Sequence, residues 1–87
     1  LKHLESLDLS HTQVTDAGLN ELGTLQHLRI LRLHGIRVTD VGLGKLAKLK
    51  QLQILDLGDT QITDAGFAEL VSLTELESLD LSNTQVT

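Results

Sequence analysis

Cysteine is absent from this chain of 87 residues, and so are methionine, tryptophan and tyrosine. Without cysteine there is no disulfide, no thiolate metal site and no thiol nucleophile, and the redox compartment is left open. Phe67 is the single aromatic residue, so the interior has to be assembled almost wholly from leucine, isoleucine and valine. No apolar run approaches the roughly 20 residues that a bilayer span requires, and no charged-then-apolar leader opens the chain. The segment itself is expected to be soluble. It opens on Leu1 without an initiator methionine and stops at Thr87 in mid-pattern, which reads as an excerpt of a longer chain. A compact globule of this size buries only about 60 to 65% of its unfolded surface. Apolar residues, 40% of the chain, must therefore be used efficiently, and small repeated layers do that.

The repetition is explicit. Shifting the sequence by 24 aligns Leu4, Leu28, Leu52 and Leu76, then Leu7, Leu31, Leu55 and Leu79, then Leu9, Leu33, Leu57 and Leu81. Val14, Val38, Ile62 and Val86 follow in register, each succeeded by threonine at 15, 39, 63 and 87. Asp16, Asp40 and Asp64 come next, then Gly18, Gly42 and Gly66, then Leu19, Leu43 and Phe67, and then further leucines at 22, 46 and 70 and at 1, 25, 49 and 73. The first half of each unit alternates like a short strand, with leucines inward. The second half places Leu19, Leu22 and Leu25 on one face of a short α or 3₁₀ turn. Strands are expected near residues 6 to 9, 30 to 33, 54 to 57 and 78 to 81, the first three each followed by a helical segment.

Neither half buries its apolar face alone, but stacked units do. The unit LxxLxLxxTx(V/I)TDxG(L/F)xxLxxLxx resembles the leucine-rich-repeat family across the whole chain. It looks most like the 24-residue TDxGL subclass found in many bacterial proteins, notably those of planctomycetes. It is also similar to F-box leucine-rich-repeat proteins, although those carry Cys where this chain has Thr12, Thr60 and Thr84. The resemblance implies an α/β solenoid with a parallel concave sheet and short helices on the convex side. Its expected divisions are the tail of one repeat at 1–3, full repeats at 4–27, 28–51 and 52–75, and a partial repeat at 76–87.

Several recurring polar residues read as architecture. Thr12, Thr60 and Thr84 stand where the strand ends, and a hydroxyl there donates to and accepts from turn backbone at once. Ile36 interrupts this row. The Thr-Asp pairs precede the helices and are expected to cap the first-turn amides locally. The glycines at 18, 42 and 66 each cost about 1 kcal/mol in a helix interior, which implies a steric need, read here as close packing of helix on sheet.

Function is expected where repeats differ. The outward strand rows are Ser6, Ile30, Ile54, Ser78; Asp8, Arg32, Asp56, Asp80; and Ser10, His34, Gly58, Ser82, with His11, Gly35, Asp59, Asn83 at the exit. Ile30, Arg32, His34, Ile54 and Asp56 form the candidate protein-binding patch, with Arg32 able to pair with Asp8 or Asp56. Asp56 and Asp80 are like charges side by side, a cost that stability alone gives little reason to keep. Residues 28 to 51 hold six of the seven basic side chains and carry net charge +5, against −10 for the remainder. The favoured reading of this stripe is attraction to acidic neighbours between coils. Nucleic acid is not expected as a partner, since stacking aromatics are absent and net charge is −5.

Catalysis is not expected. Ser6, Asp8, Ser10 and His11 lie close together, yet a flat strand face offers neither an enclosed pocket nor converging amides. The four histidines are read as occupying unlike repeat positions, so that only His11 and His34 meet. His11, His34 and Asp59 were the one candidate metal group, with solvated surface histidine favoured, and no cofactor is expected. The reading is a non-catalytic scaffold for a protein partner, the alternative a structural spacer within a larger receptor, enzyme or ubiquitin-ligase adaptor. An isolated fragment with open ends is expected to be marginally stable or to self-associate end to end.

Overall fold

The computed structural model describes residues 3–86. The expectations for Leu1 and Thr87 lie outside the described residues, as does Lys2. Within them the chain coils three times. Strand β1 (Ser6–Asp8) leads to helix α1 (Asp16–Leu22), β2 (Ile30–Arg32) to α2 (Asp40–Leu46), and β3 (Ile54–Asp56) to α3 (Asp64–Glu69) with a 3₁₀ turn at Leu70–Ser72; β4 (Ser78–Asp80) closes the series. All four strands fall inside the expected windows.

The sheet is parallel in the order β1-β2-β3-β4, and its register is the sequence repeat itself. Leu7 pairs with Leu31, Leu31 with Leu55, and Leu55 with Leu79. Because every strand carries leucine at the same place, a one-residue slip would turn that leucine to the opposite face. Hydrogen bonding continues past the three-residue strands: the His11 amide donates to the His34 carbonyl (2.8 Å), and the Gly35 amide to that of Gly58 (3.0 Å).

The core lies between this sheet and the helical layer. Leu19, Leu28, Leu31, Leu33, Val38, Leu43, Leu46, Leu49, Leu52, Leu57 and Ile62 are wholly buried. Burial falls away at both ends, where Leu4, Leu7, Leu9, Leu76, Leu79 and Leu81 are half-buried. Phe67 departs from its row. Leu19 and Leu43 are each covered by the helix of the next coil, whereas no further α-helix follows α3 among the described residues, and Phe67 is 38% exposed.

The threonines at the strand exits act as the sequence suggests. Thr12, Thr60 and Thr84 each donate a hydroxyl proton to the carbonyl three residues earlier, at 2.7, 2.7 and 2.6 Å. The hydroxyls of Thr12 and Thr84 also accept from the amide two residues later. At Ile36 the turn keeps its backbone bond to Leu33, at 3.4 Å, and buries the apolar side chain. The preceding residues, His11, Asp59 and Asn83, have φ near +60°, and Gly35 has +76°. These residue types tolerate the left-handed region best, so this row reports turn geometry.

Capping differs from expectation. Thr15 and Thr39 make no side-chain cap bond, and only Thr63 accepts from a first-turn amide, that of Ala65 at 3.3 Å. The carboxylates instead reach into the next coil. Asp16 accepts from the amide (2.8 Å) and hydroxyl (2.5 Å) of Thr39, and Asp40 does the same for Thr63. This also corrects the reading of the glycines. A Cβ at Gly42 or Gly66 would overlap the preceding coil's Asp16 or Asp40 carboxylate and press on Leu19 or Leu43. The close contact is helix to helix, not helix to sheet.

Candidate functional site

The concave face is the outer surface of the sheet, and the register decides which side chains meet there. Ile30 and Ile54 are directly paired and half-buried, flanked by the exposed Ser6 and Ser78. Asp8, Arg32, Asp56 and Asp80 form the adjoining row across the same strands. Four of the five candidate residues therefore form a contiguous two-by-two block. His34 joins them from two residues beyond β2.

Arg32 is exposed and makes no ion pair among the described residues. There the one side-chain contact of ion-pair geometry joins His34 Nδ1 to Asp56 Oδ1, at 3.3 Å, and it is an ion pair only when the imidazole is protonated. Asp56 is thus engaged from the side, and Arg32 acts on Asp8 only through longer-range attraction. The expected attraction between the basic stripe and neighbouring acidic residues is likewise not realised as ion pairs among the described residues. Its members instead encircle the second coil: Arg32 lies on the sheet, Lys45 on α2, Lys48 and Lys50 beyond it, and Arg29 and Arg37 on either side of β2.

The acidic row has a structural task that its repetition did not disclose. The carboxylates of Asp8, Asp56 and Asp80 each accept from the amide two residues later, on Ser10, Gly58 and Ser82, all at 2.9 Å. Asp8 is held below the usual carboxylate range by the Ser10 amide first, then by the Ser10 hydroxyl and by Arg32 and His11. Asp80 is lowered chiefly by the Ser82 hydroxyl, then by the Ser82 amide, with a further contribution from His34. The side-by-side pair Asp56 and Asp80 therefore terminates strands, which is a reason of stability for keeping it.

His11 and His34 do meet, with ring centroids 5.4 Å apart and edge to face. The reading of four unlike histidine positions is corrected: His3 and His27 are one repeat apart, and their rings lie 5.1 Å from each other. Among the described residues Asp59 is not part of a histidine-containing group; its backbone takes the left-handed turn at φ 58°. The residues that converge are His34, Asp56 and Asp80, one ligand atom from each lying within 4.8 Å of the others. Asp80 and Gly58 were overlooked as members of this neighbourhood, although the row position of Gly58 beside His34 was a legible signal. Near Ser6, Asp8, Ser10 and His11 no hydrogen bond joins a serine hydroxyl to an imidazole among the described residues; the Ser10 hydroxyl accepts from the His34 backbone amide at 3.2 Å.

Outside the concave face, Val41 and Val71 are about three-quarters exposed on the convex side. Leu4, Leu7, Leu9, Leu22 and Leu25 line an open apolar groove on the β1 side of the first coil. No helix of the described residues is long and apolar enough to cross a membrane.

Two family models, both described as leucine rich repeat, match residues 26–86 and residues 1–23. No curated protein matches the chain. Among solved structures, an internalin C2 from Listeria monocytogenes is similar with a TM-score of 0.87 and 31% identity, over 100% of this chain and 36% of that one. An internalin (inlF) from the same organism is similar with a TM-score of 0.62 and 24% identity, over 99% of this chain and 31% of that one. At that identity the second shows the fold alone. The chain spans about a third of the length of both.

Proposed function

Because the chain belongs to the leucine-rich-repeat family, whose members are generally protein-interaction scaffolds, we propose that its concave sheet is a docking surface for a folded protein partner. The observation that carries this reading is the block at the centre of the sheet. Ile30 and Ile54 supply paired apolar area, and beside them Arg32 stands exposed and makes no ion pair among the described residues. Interface energy concentrates in such central residues, and arginine is among the enriched types. Asp56, the fourth member of the block, and His34 at its edge hold each other in place. The in-register Thr-Asp-x-Gly segment, with its coil-to-coil carboxylate, supports placing the repeats in the 24-residue TDxGL subclass. The divisions 4–27, 28–51, 52–75 and 76–87 remain the repeat boundaries of this reading.

Photo-reactive residues at Ser6 and Ser78, which flank the block without altering it, and at Lys48 on the other side test the orientation in the source cell. Crosslinks are expected from the two serine positions. A protein recovered in this way is then purified and titrated. Arg32→Ala and Ile54→Ser are each expected to weaken binding by more than about 1 kcal/mol, and Lys45→Ala and Lys48→Ala to change it little. The opposite ranking moves the interface to the basic side and leaves the concave block as strand surface. Crosslinks from none of the three positions favour a spacer role for the segment.

A further inference from the structure

The convergence of His34, Asp56 and Asp80 has a specific cause. Strands in a sheet lie about 4.8 Å apart, and a side chain normally stands beside its neighbour in the row. The neighbour of His34 is Gly58, and a Cβ there would stand 2.7 Å from the imidazole Nδ1 and 2.8 Å from Cε1. Its absence leaves the ring free to lean over β3, where Nδ1 comes to 3.3 Å from Asp56 Oδ1. Asp80 is the directly paired partner of Asp56 on β4, which brings a second carboxylate to the same place.

Spacing and chemistry suit a metal ion. Nitrogen and oxygen ligands at about 2.0 to 2.2 Å from a shared tetrahedral zinc ion stand roughly 3.3 to 3.5 Å from one another. His34 and Asp56 already have that separation. All three ligand atoms lie within 4.8 Å, so the remaining approach is little more than about 1 Å, within the swing of the exposed Asp80 side chain. Each carboxylate is oriented by the amide that it accepts from, on Gly58 or Ser82; the Asp56 oxygen 3.3 Å from the ring is the one that takes the Gly58 amide and keeps a second lone pair, and the other oxygen of each carboxylate makes no hydrogen bond among the described residues. A divalent cation also replaces the repulsion between the two adjacent carboxylates by attraction to both.

We propose that His34, Asp56 and Asp80 form a divalent transition-metal site on the concave face. One imidazole with two carboxylates suits zinc, cobalt, nickel or copper, while calcium and magnesium favour all-oxygen sets. Three protein ligands leave a coordination position open toward the concave surface. That position would be available to a docked protein, an extension that rests on the scaffold reading; the metal site itself does not.

The test is calorimetric titration of the 87-residue chain with zinc chloride, with imidazole resonances followed by NMR and each variant checked by circular dichroism. One equivalent of zinc is expected, with the His34 ring signal moving first. His34→Gln, Asp80→Asn and Gly58→Ala are each expected to weaken binding at least about tenfold. Gly58→Ala is the most informative, because it removes no ligand and only displaces the ring. If it disturbs folding, the surface variants His34→Gln and Asp80→Asn decide. His27→Gln is expected to bind as the unaltered chain does. No zinc binding, binding that survives His34→Gln, or binding lost in His27→Gln would overturn the site; the last outcome would place the ion on the His3 and His27 pair. No protein partner enters this assay, so its failure leaves the scaffold reading untouched.

Discussion

The Asp40 carboxylate reaches 23 residues forward, taking the Thr63 amide on one oxygen at 2.7 Å and the Thr63 hydroxyl on the other at 2.5 Å. Asp16 makes the same pair of bonds to Thr39. One carboxylate thus ties the start of α2, and another the start of α3, to the coil before it, so a motif that looks like a local cap is a fastening between repeats.

This fastening has a pH signature. The Thr63 hydroxyl, then the Thr63 amide and more weakly that of Gly66 hold Asp40 below its ordinary value of 3.8. A carboxylate lowered on folding contributes stability that is complete above the unfolded-state value and is lost as pH falls through the folded-state value. Thr63→Val is expected to cost about 1 to 2 kcal/mol at pH 7. In urea melts the gap between variant and unaltered chain should narrow as pH drops below 3.8. A gap independent of pH would show that the carboxylate is not what the hydroxyl serves.

Two glycines two residues apart in α2 should respond in opposite ways. A Cβ at Gly44 meets nothing within 4 Å, so Gly44→Ala should stabilise by up to about 1 kcal/mol through helix propensity. A Cβ at Gly42 meets the Asp16 carboxylate and a Leu19 methyl carbon. Gly42→Ala should therefore destabilise by about 1 to 3 kcal/mol despite the same propensity gain. Thermal melts of the two variants distinguish steric from conformational control.

Leu55 sits in the middle of the leucine ladder with 1% of its surface exposed. Leu55→Ala is expected to cost about 2 to 5 kcal/mol by opening a cavity between coils. An unchanged denaturation midpoint would contradict the ladder's central role in the core.

The apolar groove of Leu4, Leu7, Leu9, Leu22 and Leu25 faces outward along β1, and Leu76, Leu79 and Leu81 are half-buried at the other end. Solenoid ends of this kind ordinarily carry polar caps. Sedimentation of the 87-residue chain should reveal concentration-dependent association, and Leu4→Glu with Leu7→Lys should suppress it. A single monomeric species at all concentrations would show that these edges are tolerated in water.

Much of the fold was legible because in a solenoid the sequence period and the spatial period coincide. Once Leu7, Leu31, Leu55 and Leu79 fall in register, sheet order, strand direction and core membership follow together. The outward rows were legible for the same reason, and with them the pairing of Ile30 with Ile54. The Thr-Asp pairs were misjudged because the two residues look the same before a helix whether the carboxylate turns to its own coil or the next. The strand-ending task of the acidic row was not legible, because the closure of each carboxylate onto Ser10, Gly58 or Ser82 is a matter of rotamer, which spacing does not report.

By itself, then, the sequence determined the 24-residue period, the inward leucines and the parallel register, since burying each leucine row admits one stacking. Only the tertiary structure decided where the polar side chains went. A threonine hydroxyl, an aspartate or an imidazole has several partners within reach, and coil spacing and local clearance choose among them. Asp40 goes forward to Thr63 because the missing Cβ of Gly66 leaves room for its carboxylate, and His34 leans to Asp56 because the missing Cβ of Gly58 leaves room for its ring.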